Sequence, residues 1–179
     1  MKKIYIAIIL LCVLGLTACN TKAKQEALAQ TTEVASETGE IIFDFNGYWS
    51  LMSKEELKKM NINESQVYDL IAENTQTGTN ISIIYDNLKK TEGGTLVRID
   101  DYVDIILENL KNSSENTYIC SEISDMNLHG EEYKTFFVQV VELGAEQHFY
   151  IRRIEDQIMI MMITLYGEDT VEDILKLSK

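Results

Sequence analysis

Arg152 and Arg153 are the residues whose placement first suggests chemistry. They stand side by side in a chain with 29 acidic and 16 basic residues. Gln147 to Ile154 reads as a strand, and consecutive side chains on a strand point to opposite faces. One of the two guanidinium groups is therefore expected to reach under a helix, where it needs a carboxylate partner. The pair is a candidate anion-recognising spot. Tyr48 and Trp49 form a second candidate, because aromatic side chains commonly line ligand grooves. His129 with Glu131 and Glu132 has ligand types for a divalent ion but reads as a solvated turn. Asp100, Asp101 and Asp104 lack the spaced oxygen ligands of a calcium loop, and acids suit the positive end of a helix. Met159, Met161 and Met162 fall in an Ile-rich run and read as core. The chain has no Gly-x-Ser-x-Gly elbow, no phosphate-cradling glycine loop and no His or Cys pair at metal-ligand spacing. No catalytic residue, metal or cofactor is expected.

These candidates must be held by elements that the hydrophobic pattern outlines. Ile41 to Phe45 reads as a strand and Asn46-Gly47 as a turn. Ser53 with Glu56 three residues on is a capping box that starts a helix ending near Met60-Asn61. Asn63 to Gln66 looks like a second helix start, with Val67, Leu70 and Ile71 as its apolar stripe. Residues 80 to 88 alternate as a strand. Asp100 or Asp101 is expected to cap a helix whose buried face is Tyr102, Ile105, Ile106 and Leu110. Tyr118 to Ile123, Lys134 to Leu143 and Gln147 to Ile154 are further strands. Ile158 to Leu165 is apolar on both faces and should lie centrally, covered on both sides. Thr170 starts a terminal helix with Val171, Ile174 and Leu175 inward. Short turns between the late strands require antiparallel pairing. The expected fold class is α+β: an antiparallel sheet with helices, near 53–73, 100–111 and 169–177, on both faces.

The first residues carry a different message. Met1-Lys2-Lys3 is basic, Ile4 to Leu16 is almost unbroken apolar, and Leu16-Thr17-Ala18-Cys19 ends in small residues before a cysteine. The apolar run is about 13 residues, short of the roughly 20 that span a bilayer, and reads as an export signal. It resembles a bacterial lipoprotein signal peptide with its lipobox. The resemblance implies cleavage before Cys19 and a diacylglyceryl group on its sulfur, hence a chain anchored to the membrane outside the cytoplasm, at the cell surface or in the periplasm. On this reading residues 1–18 are the signal, 19–40 the lipidated cysteine and a flexible polar tether, and 41–179 a single domain. Loss of Lys2 and Lys3 with the signal takes the net charge from −13 to −15. Such a chain is repelled by nucleic acid, whose binders carry basic patches. Cys120 is then the one remaining thiol, so no internal disulfide can form.

The order of elements is similar to the PsbP-like sandwich fold. The residues that carry this are Ile41 to Trp49, Asn80-Ile81-Ser82-Ile83, Asp101-Tyr102, Leu128 to Tyr133, and Gln157 to Thr164 with the last helix. Members of that fold include an extrinsic photosystem subunit, a Ran-binding import factor and bacterial lipoproteins, so the resemblance implies an architecture and no particular site residue. With no catalytic constellation, the expected function is a membrane-anchored, non-enzymatic binding or accessory domain whose partner is an envelope protein or a small ligand. Two other readings make separate demands. An unfamiliar hydrolase of the envelope would need a deep pocket with clustered carboxylates and tyrosines. An accessory subunit would need a stable protein partner.

Overall fold

The computed structural model describes residues 32–36, 38, 41–61 and 64–179. Cys19 and the signal segment lie outside the described residues.

Strand β1 (Thr32–Ala35) pairs antiparallel with β2 (Ile42–Phe45), matching Val34 with Phe43. Then come β3 (Trp49–Leu51) and helix α1 (Lys54–Met60), which the Ser53–Glu56 capping box starts as expected. β4 (Gln66–Asn74) and β5 (Asn80–Asn87) follow, then α2 (Ile99–Lys111). The second half of the chain gives β6 (Tyr118–Cys120), β7 (Ser124–Leu128), β8 (Glu131–Val140), β9 (Ala145–Ile154), β10 (Gln157–Leu165) and α3 (Val171–Leu175). The large sheet runs β3-β4-β5-β10-β9-β8-β6, with β7 also on β8, and its pairs are antiparallel.

β10 lies between β5 and β9, and Ile158 to Thr164 are buried on both faces. Its even-numbered residues Ile158, Ile160 and Met162 meet α1 and α2 through Leu57, Tyr102, Val103 and Ile106. The odd-numbered Met159, Met161 and Ile163 meet a different cover, made of Ile41, Phe43 and Phe45 with Ile174 of α3. The fold is therefore α+β with both sheet faces covered: two helices on one, a β-ribbon and a short helix on the other. Each large apolar side chain sealed this way contributes roughly 1.5–3 kcal/mol.

Several boundaries differ from the sequence reading, and β8, expected over Lys134 to Leu143, runs from Glu131 to Val140 instead. Residues 32–35, read as tether, are strand β1, so the folded part begins before residue 41. Half-buried Val34 packs on the second core and supplies the reason. Asn63 lies outside the described residues, and the apolar stretch read as a second helix is strand β4, Gln66–Asn74. Its register shifts between Tyr68 and Leu70, and the extra residue, Asp69, swaps the faces. Val67 and Leu70 then share one face while Tyr68 and Ile71 share the other, and spacings of three imitate a helix. Helix α2 starts at Ile99 with Arg98 at its N-cap, and Asp100 and Asp101 occupy its first turn. The strand expected from Tyr118 to Ile123 ends at Cys120 as the short β6, and β7 follows separately from Ser124.

Candidate functional site

The two arginines point to opposite faces of β9, as alternation requires. Arg153 lies on the α2 side, but backbone carbonyls take the place of the expected carboxylate. It donates to Val97 O at 2.8 Å, Thr95 O at 3.0 Å and Glu155 O at 2.8 Å. These bonds tie the loop before α2 to the sheet. Arg152 lies on the other face, paired with Glu131 at 2.9 Å and with its guanidinium 5.6 Å from the Tyr133 ring centroid. Trp49 is half-buried against Phe45, with ring centroids 5.1 Å apart, and Tyr48 is exposed in the preceding turn. Trp49 pairs with Asn74 at one end of the strands, whereas Arg152 and Arg153 pair with Met159 and Ile158 near the other. The structure does not bring the two candidate pairs together.

A buried polar cluster went unnoticed in the sequence. Asp86 accepts from Tyr102 Oη at 2.7 Å and from Gln66 Nε2 at 3.1 Å beneath α2. Burial first, and then the neighbouring Asp86 charge, push the Tyr102 hydroxyl far above the usual phenol range. Asp86 and Tyr102 are 2 % and 0 % exposed, so a substrate cannot reach them. The cluster anchors α2. The only signal for it was an aspartate inside the apolar run Ile81 to Asn87.

The other reactive types are engaged or quiet. His129 meets Ser178 Oγ at 2.9 Å, and His148 meets Glu146 Oε1 at 2.5 Å. Burial pushes the Cys120 thiol up and keeps it protonated, which makes it a poor nucleophile. Among the described residues no three His, Cys, Asp or Glu side chains gather as a metal site would require, and no helix is long and apolar enough to cross a membrane. The described residues form open grooves, of which two are the larger. One of about 450 Å³ lies between α1 and β4, lined by Leu57, Lys58 and Leu70 among others. One of about 320 Å³ lies where Tyr85, Asn87, Lys90 and Gln157 meet Thr38.

The most distinctive surface is the sheet itself. On the ribbon side, β8 is covered at Tyr133 but open at Phe137, which is 38 % exposed. Phe136 and Phe137 must point opposite ways. Phe136 stacks on Phe149 in the core at 4.7 Å, and Phe137 lies outside against the His148 ring at 5.7 Å. Ile119, 55 % exposed, pairs with Gln139 and so shares this outer face. Val141, 52 % exposed, bonds through its N–H to Thr117 O in the same row. Leu143 extends the exposed apolar run into the β8–β9 connection. Exposed apolar patches of this kind mark interaction surfaces. The alternation of Phe136, Val138 and Val140 inward with Phe137, Gln139 and Val141 outward was the available signal.

No protein-family model matches the chain, and no curated protein matches it. Among solved structures it is similar to cyanobacterial PsbP (CyanoP) from Synechocystis sp. PCC 6803. The TM-score is 0.56 at 12 % identity, over 89 % of this chain and 97 % of that one. A Bacteroides thetaiotaomicron structure matches with TM-score 0.46 at 11 % identity, over 84 % of this chain and 48 % of that one. The Saccharomyces cerevisiae Ran-binding protein Mog1p matches with TM-score 0.40 at 14 % identity, over 77 % and 78 %. The first likeness shows a PsbP-like fold. At such identity it carries architecture and nothing about function.

Proposed function

We propose that this PsbP-like sandwich is a non-enzymatic binding or accessory domain, held at the outer side of a bacterial membrane by a lipid on Cys19. The observation that carries the binding reading is the open sheet face around Phe137, Ile119 and Val141. The buried Asp86–Tyr102 pair is sealed and cannot serve as the accessible acid–base pair of a hydrolase. The anchor reading is supported by the signal and lipobox pattern of residues 1–19.

Two experiments test the two parts. A photo-reactive residue placed at Phe137 of the full chain in cells is expected to cross-link to another protein. The same residue at Leu96, also exposed and apolar but on the loop before α2, is expected to give none. Absence of an adduct at Phe137, or equal adducts at both positions, counts against the binding face. For the anchor, Cys19→Ala is expected to move the chain from the membrane to the soluble fraction, because two acyl chains are what hold such a protein stably. A mutant that still sediments with membranes like the wild type removes the anchor.

A further inference from the structure

We infer that the open face takes a basic, apolar protein segment, one whose anchoring side chains are flanked by lysine or arginine. This deepens the binding reading above and rests on it. The floor of the face is apolar, made by Ile119, Phe137 and Val141. Acids stand close to it along the chain: exposed Glu122 follows β6, exposed Glu142 sits in the β8–β9 connection, and Glu146, bonded to His148, pairs with Gln139 in the same row. The N–H of Thr117 bonds Glu142 at 2.8 Å and holds its carboxyl below the usual range, so this acid stays charged. From residue 112 to residue 151 the sequence contains a single lysine or arginine, Lys134. Lys134 is at the far end of β8, where Asp125 and Asp100 hold it at 2.7 and 3.0 Å. An apolar floor flanked mainly by acids favours a partner of opposite charge. A second copy would set these acids against their own kind in a chain of net charge −13, and like charges across an interface are costly. An anionic lipid surface or a nucleic acid is repelled for the same reason.

The test uses the full chain and a labelled amphipathic peptide with leucines at helical spacing and lysines on either side. A twin peptide has every lysine replaced by glutamate. The lysine peptide is expected to bind, more weakly as salt rises, and the glutamate twin to bind at least about tenfold more weakly. Phe137→Ser is expected to weaken the lysine peptide by about tenfold, as loss of a central aromatic anchor does. Glu122→Lys, an exposed change that leaves the core untouched, is expected to weaken it severalfold. Equal binding of the two peptides, or binding indifferent to both substitutions, overturns the proposal. Self-association abolished by Phe137→Ser would assign the face to a second copy and overturn it as well. A cross-link from position 137 to residues before Thr32 would assign the face to this chain and do the same. If position 137 cross-links to another protein while the lysine peptide fails, the partner chemistry falls and the binding reading stands. If position 137 cross-links to nothing, the binding reading itself falls.

Discussion

Phe43→Ala is expected to lower the free energy of unfolding by about 3–5 kcal/mol, the range for deleting a fully buried aromatic ring. Phe43 is completely buried and stacks on Phe45 with centroids 5.2 Å apart. It sits on a strand hydrogen-bonded on both sides. β1 pairs along one side, and the chain end pairs along the other, through Asp44 N to Leu177 O at 2.7 Å and Lys179 N to Ile42 O at 2.8 Å. The ribbon and chain end together roof Ile81, Ile83 and Met161. Truncation of Phe43 leaves a hole that neither neighbour can fill without breaking this pairing. Urea unfolding of the full chain measures the change, with Trp49, the single tryptophan, reporting from beside Phe45. The exposed Tyr48→Ala is expected to stay within about 0.5 kcal/mol of the wild type. A loss under about 1 kcal/mol for Phe43→Ala would mean that the ribbon is not part of the core.

The second large effect lies under α2. Asp86→Ala is expected to cost about 2–4 kcal/mol, because it removes the buried acceptor that Tyr102 Oη and Gln66 Nε2 share. Tyr102→Phe removes one bond to a charged group and is expected to cost about 1.5–3 kcal/mol. The double variant is expected to cost less than the sum, since both changes act on one network. The same cluster sets the alkaline limit. Tyr102 is pushed far up, and burial pushes Tyr150 to about 12. The folded state therefore keeps protons that the unfolded chain loses near pH 10. Stability from these groups is complete below that pH and falls as pH rises beyond it. In a phenolate absorbance titration of the nine tyrosines, the last are expected to ionise only as the fold opens. If all nine titrate together near pH 10 with the fold intact, the buried cluster does not exist as described.

What the sequence disclosed follows from how locally each feature is encoded. The two-faced β10 was legible because an unbroken apolar run has few other uses. The capping box placed α1 correctly because its signal spans four residues. β4 was misread because its bulge at Asp69 sets Val67 and Leu70 three apart, the spacing that a helix would show. β1 was misread because Thr32 and Glu33 are exposed and polar, and the strand exists through its partner β2. The partners of the candidate residues are hidden from a local reading in the same way. Arg152 and Arg153 stand out as adjacent cations on a strand of an acidic chain, yet their partners, Glu131 and the carbonyls of residues 95 and 97, come from other elements. Phe137 stands beside a core residue, Phe136, in a strand rich in Phe and Val, and the sequence does not set it apart. Its exposure depends on where the ribbon stops, and no short window of sequence records that.

Amide hydrogen exchange tests the central claim most directly, comparing the purified full chain with the same chain in intact envelopes. The account predicts added protection in residues 117–123 and 137–143, the two stretches that frame the open face. Protection confined instead to the groove at Tyr85, Asn87 and Lys90, or to that between α1 and β4, would contradict it and place the binding surface elsewhere.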